Sequence, residues 1–496
     1  MRDKVTLSSK RAIGLVNPWL LLLLCFVFCS GAGPVMIQAA ENDYQYDLYL
    51  GQMITLPQHE EGTVVSDNEK VVRIQDEFIV AAGAGDAVIS VKTADGTKQI
   101  CKVHVKENEK LKDLTFKEGD FDTMVLGGGA HTIHVPAFDG MECVYKAVTP
   151  DIATINGDGT ITPKAPGLAM IQVSVKDSYG GVYDFTLPVR IIKPEFAATH
   201  YNAAKGTVLT LTIDSLNGLA VTAVSENDKC AKVTAVQGNQ IQIQAVKKGT
   251  AKITARLGDV AFSCQVYVTE PVLNKKYGFY VKGKKIRLKV TGLNKYSKPV
   301  WAVSDKKVAS VTSKGKVKTK KTGSATVTCT VDGATVTYYL AVASKQKTKA
   351  MRYGYSKVGK KKYSQARRMS ANYFDCSSFV YRCYRAAGRY LAYKDRWAPV
   401  AASIGKYYTQ KGKRIKASGK YYNLKKLKPG DLVCWGGSKA KRNGRYKRIY
   451  HISLYIGNGL TMESSSTYNN VVIRDRGFFL RSEVPVIVRP YRRKNE

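Results

Sequence analysis

The sequence predicts a multidomain chain in which tandem small all-β sandwiches precede one α+β domain. Three observations carry this. Four stretches share one pattern, with starts 83, 76 and 79 residues apart. Within each, apolar and polar residues alternate with period two between frequent turn residues, the signature of half-buried antiparallel strands in small sandwiches. After Ser344 this pattern stops, helical periodicity appears, and positive charge rises sharply.

At 496 residues the chain has room for roughly three to five domains. Arg2, Lys4, Lys10 and Arg11 precede an uncharged stretch, 12–40, that contains WLLLLLCFVFC. Residues 1–40 therefore read as a secretory signal peptide with cleavage after Ala40. The rival reading is an uncleaved N-terminal membrane anchor, because the stretch exceeds the roughly 20 residues that span a bilayer. Either way the remainder faces outward, secreted or held at the extracellular face of the envelope, and membrane contact is confined to 12–40.

The repeats are expected at 41–109, 110–193, 194–269 and 270–344. Their common stretches begin at Val64, Ala147, Ala223 and Ala302. Each runs from a polar turn through an alternating strand, a second turn and a short strand to a Gly-x-Ala-like step into a further strand. No catalytic constellation occurs in them. His131 and His134 in HTIHV would face opposite sides of a strand, which argues against a shared metal. The repeats read as a spacer or, alternatively, as binders of a wall polymer or host glycan. Beyond the apolar run, eight cysteines lie at 101, 143, 230, 264, 329, 376, 383 and 434, with no CxxC. Such spacing excludes a disulfide-dense scaffold and a zinc site. It leaves open a bridge between Cys230 and Cys264.

The last domain is expected at 345–496. It holds 37 Lys+Arg against 7 Asp+Glu, a net of +30 out of +39 for the chain. With +3 in residues 1–40, the repeats together carry only about +6. This assigns the basic character, and a polyanionic partner, to the C-terminal domain. For an exported chain that partner is an anionic wall polymer, with no functional role for nucleic acid.

In YFDCSSFVYRCYRAAG, Cys376, Phe379, Val380, Cys383 and Ala387 fall on one helical stripe. Asp375 sits at the N-cap position, and Gly388 is a natural stop. Cys376 thus occupies the first turn on the inward face, where unpaired N–H groups and the helix dipole favour a thiolate. Cys383 and Cys434 have no such placement and read as buried small hydrophobes. Downstream, in YHISLYIGNGLTMESSS, His451, Ser453 and Tyr455 alternate with apolar residues as in a strand. GNG reads as a hairpin turn. With a three-residue loop, Glu463 lies opposite Ser453, on the face of His451 and one diagonal step away. His451 is the sole histidine of this domain. A cysteine nucleophile needs a base, and the base an orienting group. Cys376, His451 and Glu463 supply all three.

Two resemblances follow from these motifs. The S-D-x-x-x-V-A-x-V…G-x-V…K-x-G-x-A-x-V pattern of residues 44–343 resembles the bacterial immunoglobulin-like group-2 domains of surface proteins. FDCSSFV…YRAAG, LKPGDLVCW and HISLYIGNG, in that order across roughly 350–490, resemble the NlpC family of papain-like cell-wall cysteine peptidases. Together they imply tandem Ig-like sandwiches followed by an α+β papain-like catalytic domain, with a Cys-bearing helix on an antiparallel sheet that carries the histidine. By matching positions, the resemblance makes Cys376 the nucleophile and His451 the base. Glu463 takes the third position, where the family more often has His, Asn or Gln. It gives Asp375 and Ser377 a substrate-holding role and maps the family's upstream tyrosine onto Tyr363. The implied activity is an exported peptidoglycan hydrolase that cuts an amide bond in stem peptides, between D-glutamate and the diamino acid, without metal or cofactor. Two other classes stay open: a papain-like amidase or acyltransferase, and a non-enzymatic surface adhesin or wall-binding protein.

Overall fold

The computed structural model describes residues 44–393, 396–416, 423–437, 444–475 and 483–491. The signal or anchor expected at 1–40 lies outside these residues, as do residues 438–443 ahead of His451. Among the described residues, no helix is long and apolar enough to cross a membrane. The chain divides into two compact units, the first ending at Lys193 and the second beginning at Pro194.

The first unit contains two pairs of sheets. In the first pair, a four-stranded sheet runs in the order Tyr44–Tyr49, Gly96–Lys106, Gly85–Thr93, Thr63–Ser66. It packs on a three-stranded sheet, Met53–Thr55, Phe78–Ala81, Val72–Gln75, through Val72, Ile79, Ile89, Cys101 and Val103. The second pair has its own core around Ile161, Ile171, Leu187 and Phe185.

The second unit opens with two further pairs of sheets. In the fourth repeat, the four-stranded sheet is Tyr277–Tyr280, Ala334–Val342, Gly323–Val331, Val300–Val303. Its three-stranded partner is Lys285–Arg287, Lys316–Thr319, Ala309–Val311. The chain is thus multidomain, with Ig-like β-sandwiches followed by a C-terminal α+β domain.

Two details go beyond the sequence pattern. The sheets are not purely antiparallel. In each repeat an early strand pairs in parallel with the last, as Tyr277–Tyr280 does with Ala334–Val342. Side chains alternate with period two in either direction, so alternation cannot report this. The long stretch between that early strand and the last leaves room for the crossover that parallel pairing needs. The Gly-x-Ala step also gains a cause. Gly323 has φ +155°, and a Cβ there would lie 2.7 Å from Val308 Cγ2, the valine of the V-A motif. The backbone enters the strand over that side chain, and Ala325 follows as a fully buried residue. Gly85, Gly167 and Gly249 repeat the arrangement over Val71, Ile152 and Cys230.

In the C-terminal domain a five-stranded antiparallel sheet runs in the order Asn470–Asp475, Leu460–Ser465, His451–Gly457, Leu432–Trp435, Val486–Val488. Helices Lys345–Tyr355, Cys376–Ala386 and Ala401–Gln410 cover one face. Phe374, Phe379, Val380, Ile452, Leu454 and Met462 form the core between. The PGD turn before Leu432–Trp435 is fixed by a buried bidentate pair, Arg489 on Asp431, at 2.8 Å for both bonds.

Candidate active site

The cysteine helix begins at Cys376 because Asp375 caps it. Asp375 Oδ1 accepts the Ser378 N–H at 2.6 Å, and Ser378 Oγ accepts the Asp375 N–H at 2.9 Å, a reciprocal capping box. Asp375 Oδ2 pairs with Arg368 Nη1 at 3.0 Å, and both groups are buried. Ser377 Oγ donates to the same carboxylate at 3.2 Å. The sheet holds the helix start from below, where buried Ser464 Oγ donates to the Phe374 carbonyl at 3.1 Å. Tyr363 stands beside it, because Lys362–Tyr363 pairs in parallel with Tyr373–Phe374. Burial raises the Tyr363 pKa, and the charges of Cys376 and Asp375 add to the shift. The structure therefore gathers Tyr363, Asp375, Cys376 and Ser377 at one helix N-terminus.

The histidine strand reaches the same point. Its hairpin differs from the expected three-residue loop. Gly457 pairs with Leu460, and the two-residue loop is Asn458-Gly459 with φ of +55° and +78°. Positive φ at both positions is the type I′ requirement that Asn-Gly meets. A bulge between Tyr455 and Gly457 then restores the register Leu454↔Met462. Continued by one step, that register sets Ser453 across from Glu463, the facing expected from the longer loop.

His451 Nε2 lies 3.2 Å from Glu463 Oε2, off the angle of a full hydrogen bond but close enough for an ion pair. Glu463 is 1% exposed and the His451 side chain 18%. The Cys376 thiol, 6% exposed, is within hydrogen-bond reach of the imidazole. Burial alone would lower the His451 pKa. The contacts and charges of Cys376 and Glu463 outweigh it and raise the value from 6.5 to about 9. Trp435, paired across the strands with His451, donates its indole N–H to Ser453 Oγ at 2.8 Å.

The sequence reading missed two participants. Arg474 Nη1 lies 3.2 Å from Glu463 Oε1, so the carboxylate stands between an imidazole and a guanidinium. Glu463 faces Val472 across the strands, and Arg474 is its diagonal neighbour on the same face. Arg368 is the second, as the buried partner of Asp375. The SSSTYNN turn signal before VVIRD would have located Arg474, whereas no local signal marks Arg368. The other cysteines stand apart. Cys383 and Cys434 are fully buried, and burial pushes both thiols far up. All eight described cysteines are free, which settles Cys230 and Cys264 as unbridged here. Among the described residues, no group of three or more His, Cys, Asp or Glu side chains could hold a metal ion.

Residues 353–478 match the model of the NlpC/P60 family. The C-terminal domain is an NlpC/P60 domain. Residues 275–341 match the bacterial Ig-like domain (group 2), so the NlpC/P60 domain is preceded by an Ig-like domain of that group. No curated protein matches the chain. Among solved structures, it is similar to the surface layer protein SbsC, domains 1–6, at 13% identity over 63% of this chain and 53% of that one, with a TM-score of 0.17. The chain thus spans about half the length of that relative. It is similar to the peptidoglycan hydrolase RipB from Mycobacterium tuberculosis at 18% identity over 29% of this chain and 64% of that one, with a TM-score of 0.20. A P60 domain of an antigen from M. avium subspecies paratuberculosis is 14% identical over 30% of this chain and 96% of that one, with a TM-score of 0.21. The NlpC/P60 family is one of cysteine peptidases and amidases, and the thiol–imidazole–carboxylate set lies inside the matched residues.

Proposed function

We propose that the chain is an exported peptidoglycan hydrolase whose NlpC/P60 domain acts as a cysteine endopeptidase on stem peptides. The observation that carries this reading is the contact set of His451, the domain's sole histidine. It interacts with the helix-start thiol of Cys376 and with the buried carboxylate of Glu463. An imidazolium beside sulfur favours the thiolate. Cys376 Sγ attacks the amide carbonyl, and the carbonyl π electrons move to oxygen. The Asp375 cap takes the Ser378 N–H, and Phe379 N–H closes on the Asp375 carbonyl. This leaves the Cys376 and Ser377 N–H groups to meet the oxyanion, with Tyr363 beside them. His451 gives its proton to the leaving amine as the C–N bond breaks, leaving a thioester. It then takes a proton from water, which attacks the thioester and releases the acid and the Cys376 thiolate beside the re-protonated His451. Glu463 holds the ring and balances its charge. Asp375 and Ser377 shape the helix-start side of the cleft where the peptide is held.

The bond between D-glutamate and the diamino acid is the proposed scissile bond. Export rests on the composition of residues 1–40, and the basic charge suits residence on an anionic wall. Digestion of purified peptidoglycan, read by mass spectrometry of the products, tests the reading. We expect new peptide termini at that bond with wild type and none with a folded Cys376→Ala protein, while Cys383→Ala keeps the activity. Release of whole stem peptides from glycan would instead identify an amidase, and lysis by Cys376→Ala would sink the mechanism.

A further inference from the structure

The positive charge does not begin at the NlpC/P60 domain. Residues 270–344 carry 16 Lys+Arg against 3 Asp+Glu, a net of +13, whereas residues 41–269 carry 21 against 28, a net of −7. The fourth repeat is therefore basic in its own right, unlike the three before it. Its cations are also ordered. In Lys285–Arg287, Ile286 is buried and Lys285 and Arg287 are exposed; in Lys316–Thr319, Val317 and Thr319 are buried and Lys316 and Lys318 exposed. The register sets Lys285 opposite Lys318 and Arg287 opposite Lys316. Two like-charge pairs thus face each other directly on the outer side of the three-stranded sheet.

Directly opposed side chains sit about 5 Å apart at Cβ. Same-side neighbours along a strand sit about 7 Å apart. All four charges lie within one screening length at about 0.1 M salt, so they repel one another. Among the described residues, no carboxylate pairs with any of the four. Glu270 pairs with Lys205 at 3.0 Å. Asp332 accepts the Thr269 and Ser297 hydroxyls, and Asp305 accepts the Lys307 N–H. The NlpC/P60 domain leaves the face uncovered, because it meets the other sheet of this repeat through Ser324, Ala325 and Leu340.

We propose that this face, built on Lys285, Arg287, Lys316 and Lys318, is a docking surface for a linear polyol-phosphate wall polymer. A flat strand grid with regularly spaced cations suits an extended chain of recurring phosphodiesters. None of the three strands, Lys285–Arg287, Lys316–Thr319 and Ala309–Val311, carries an aromatic residue, so they offer bases no ring to stack on, unlike single-strand nucleic-acid binders. The inference rests on the wall-resident reading but not on catalysis.

The test measures binding of the full chain to purified poly(glycerol phosphate) across a salt series. The variant is Lys285→Gln, Arg287→Gln, Lys316→Gln and Lys318→Gln together. A control removes four other exposed lysines, Lys406, Lys411, Lys416 and Lys425, in the same way. The face variant should bind at least about tenfold more weakly at low salt. The slope of log affinity against log salt should flatten by up to about 3, at roughly 0.7 per lost contact. The control should keep most of the affinity. The face variant should also melt no lower than wild type, because repulsion is removed, and should still cleave a soluble stem peptide. Should the quadruple variant misfold, Lys316→Gln with Lys318→Gln alone should give about half the slope change. Equal losses in control and face variant would overturn the proposal. So would unchanged binding in the face variant, or tighter face-dependent binding of single-stranded DNA with the same number of phosphates. Loss of cleavage with binding intact would count against the catalytic reading alone.

Discussion

Arg474 changes how Glu463 should be understood. A buried carboxylate facing an imidazolium alone would hold the proton on His451 very tightly. A guanidinium at 3.2 Å from the other oxygen draws on the same charge and moderates the grip. The groups facing His451 are therefore Cys376 and Glu463 directly and Arg474 through Glu463. The alkaline limb of kcat/KM on a soluble stem peptide should fall near pH 9, where His451 loses its proton. Glu463→Gln should move that limb down and reduce the rate. Arg474→Met should move it up by a fraction of a unit to about one unit, since Arg474 is partly exposed, and Arg474→Lys should bring it back. A residue that merely propped the strand would not shift the two limbs in opposite directions. Identical limbs in all three variants would remove Glu463 and Arg474 from the reaction. Stability has the matching sign. Folded His451 binds its proton more tightly than the unfolded side chain, so its contribution is complete below about pH 6.5 and fades as pH rises through about 9.

At the scale of elements, what the sequence showed and what it hid follow from one distinction. Local chemistry was legible. The Asp-Cys-Ser-Ser cap, the Cys376 stripe and the Asn-Gly hairpin each depend on neighbours a few residues away. The bulge at Ile456 was not, yet the two-residue loop plus the bulge puts Glu463 where a three-residue loop would. The parallel pairing of an early strand with the last and the Arg368–Asp375 pair stayed hidden because they depend on long-range contacts. That pair makes Asp375 more than a cap. Asp375→Ala removes a capping interaction of about 1 kcal/mol. It also strands a buried guanidinium, at a cost of roughly 3–5 kcal/mol to the NlpC/P60 domain. Arg368→Met added to Asp375→Ala should recover much of that loss in a urea melt followed by tyrosine fluorescence. If the double variant is no more stable than Asp375→Ala, the pair is not what Asp375 supports. Recovery of stability without activity would instead favour the substrate-holding role. In the repeats, Gly323→Ala should cost about 1–3 kcal/mol, since an added Cβ meets Val308 at 2.7 Å on a backbone with φ +155°.

The second unit carries its NlpC/P60 domain on the fourth repeat through a shared interior. Phe279, Ala341 and Ala343 of the repeat belong to the same buried cluster as Ala350, Met351 and Phe379. Arg352 Nε donates to the Phe279 carbonyl at 2.8 Å. The tip of the histidine hairpin completes the contact. Asn458 N–H donates to Ser324 Oγ at 3.0 Å, and its side-chain amide reaches the Ala325 and Leu340 carbonyls at 3.3 and 3.4 Å. Gly457 lets the tip approach, because a Cβ there would lie 2.4 Å from Ser324 Cβ at φ +99°. The strand that presents His451 to Cys376 is thus anchored at its far end on an Ig-like sheet. The fourth repeat and the NlpC/P60 domain should consequently melt as one cooperative transition in calorimetry of the full chain. Gly457→Val should wedge the tip away, split that transition in two and lower the catalytic part by several degrees, at a cost of a few kcal/mol. Asn458→Ala should act in the same direction more weakly, because it removes hydrogen bonds without forcing the surfaces apart. Cleavage should fall in parallel with the displaced hairpin, and the split should be visible before activity is lost on heating. Two separate transitions already present in wild type would show that the shared interior does not couple the domains, and the hairpin tip would then carry no mechanical role.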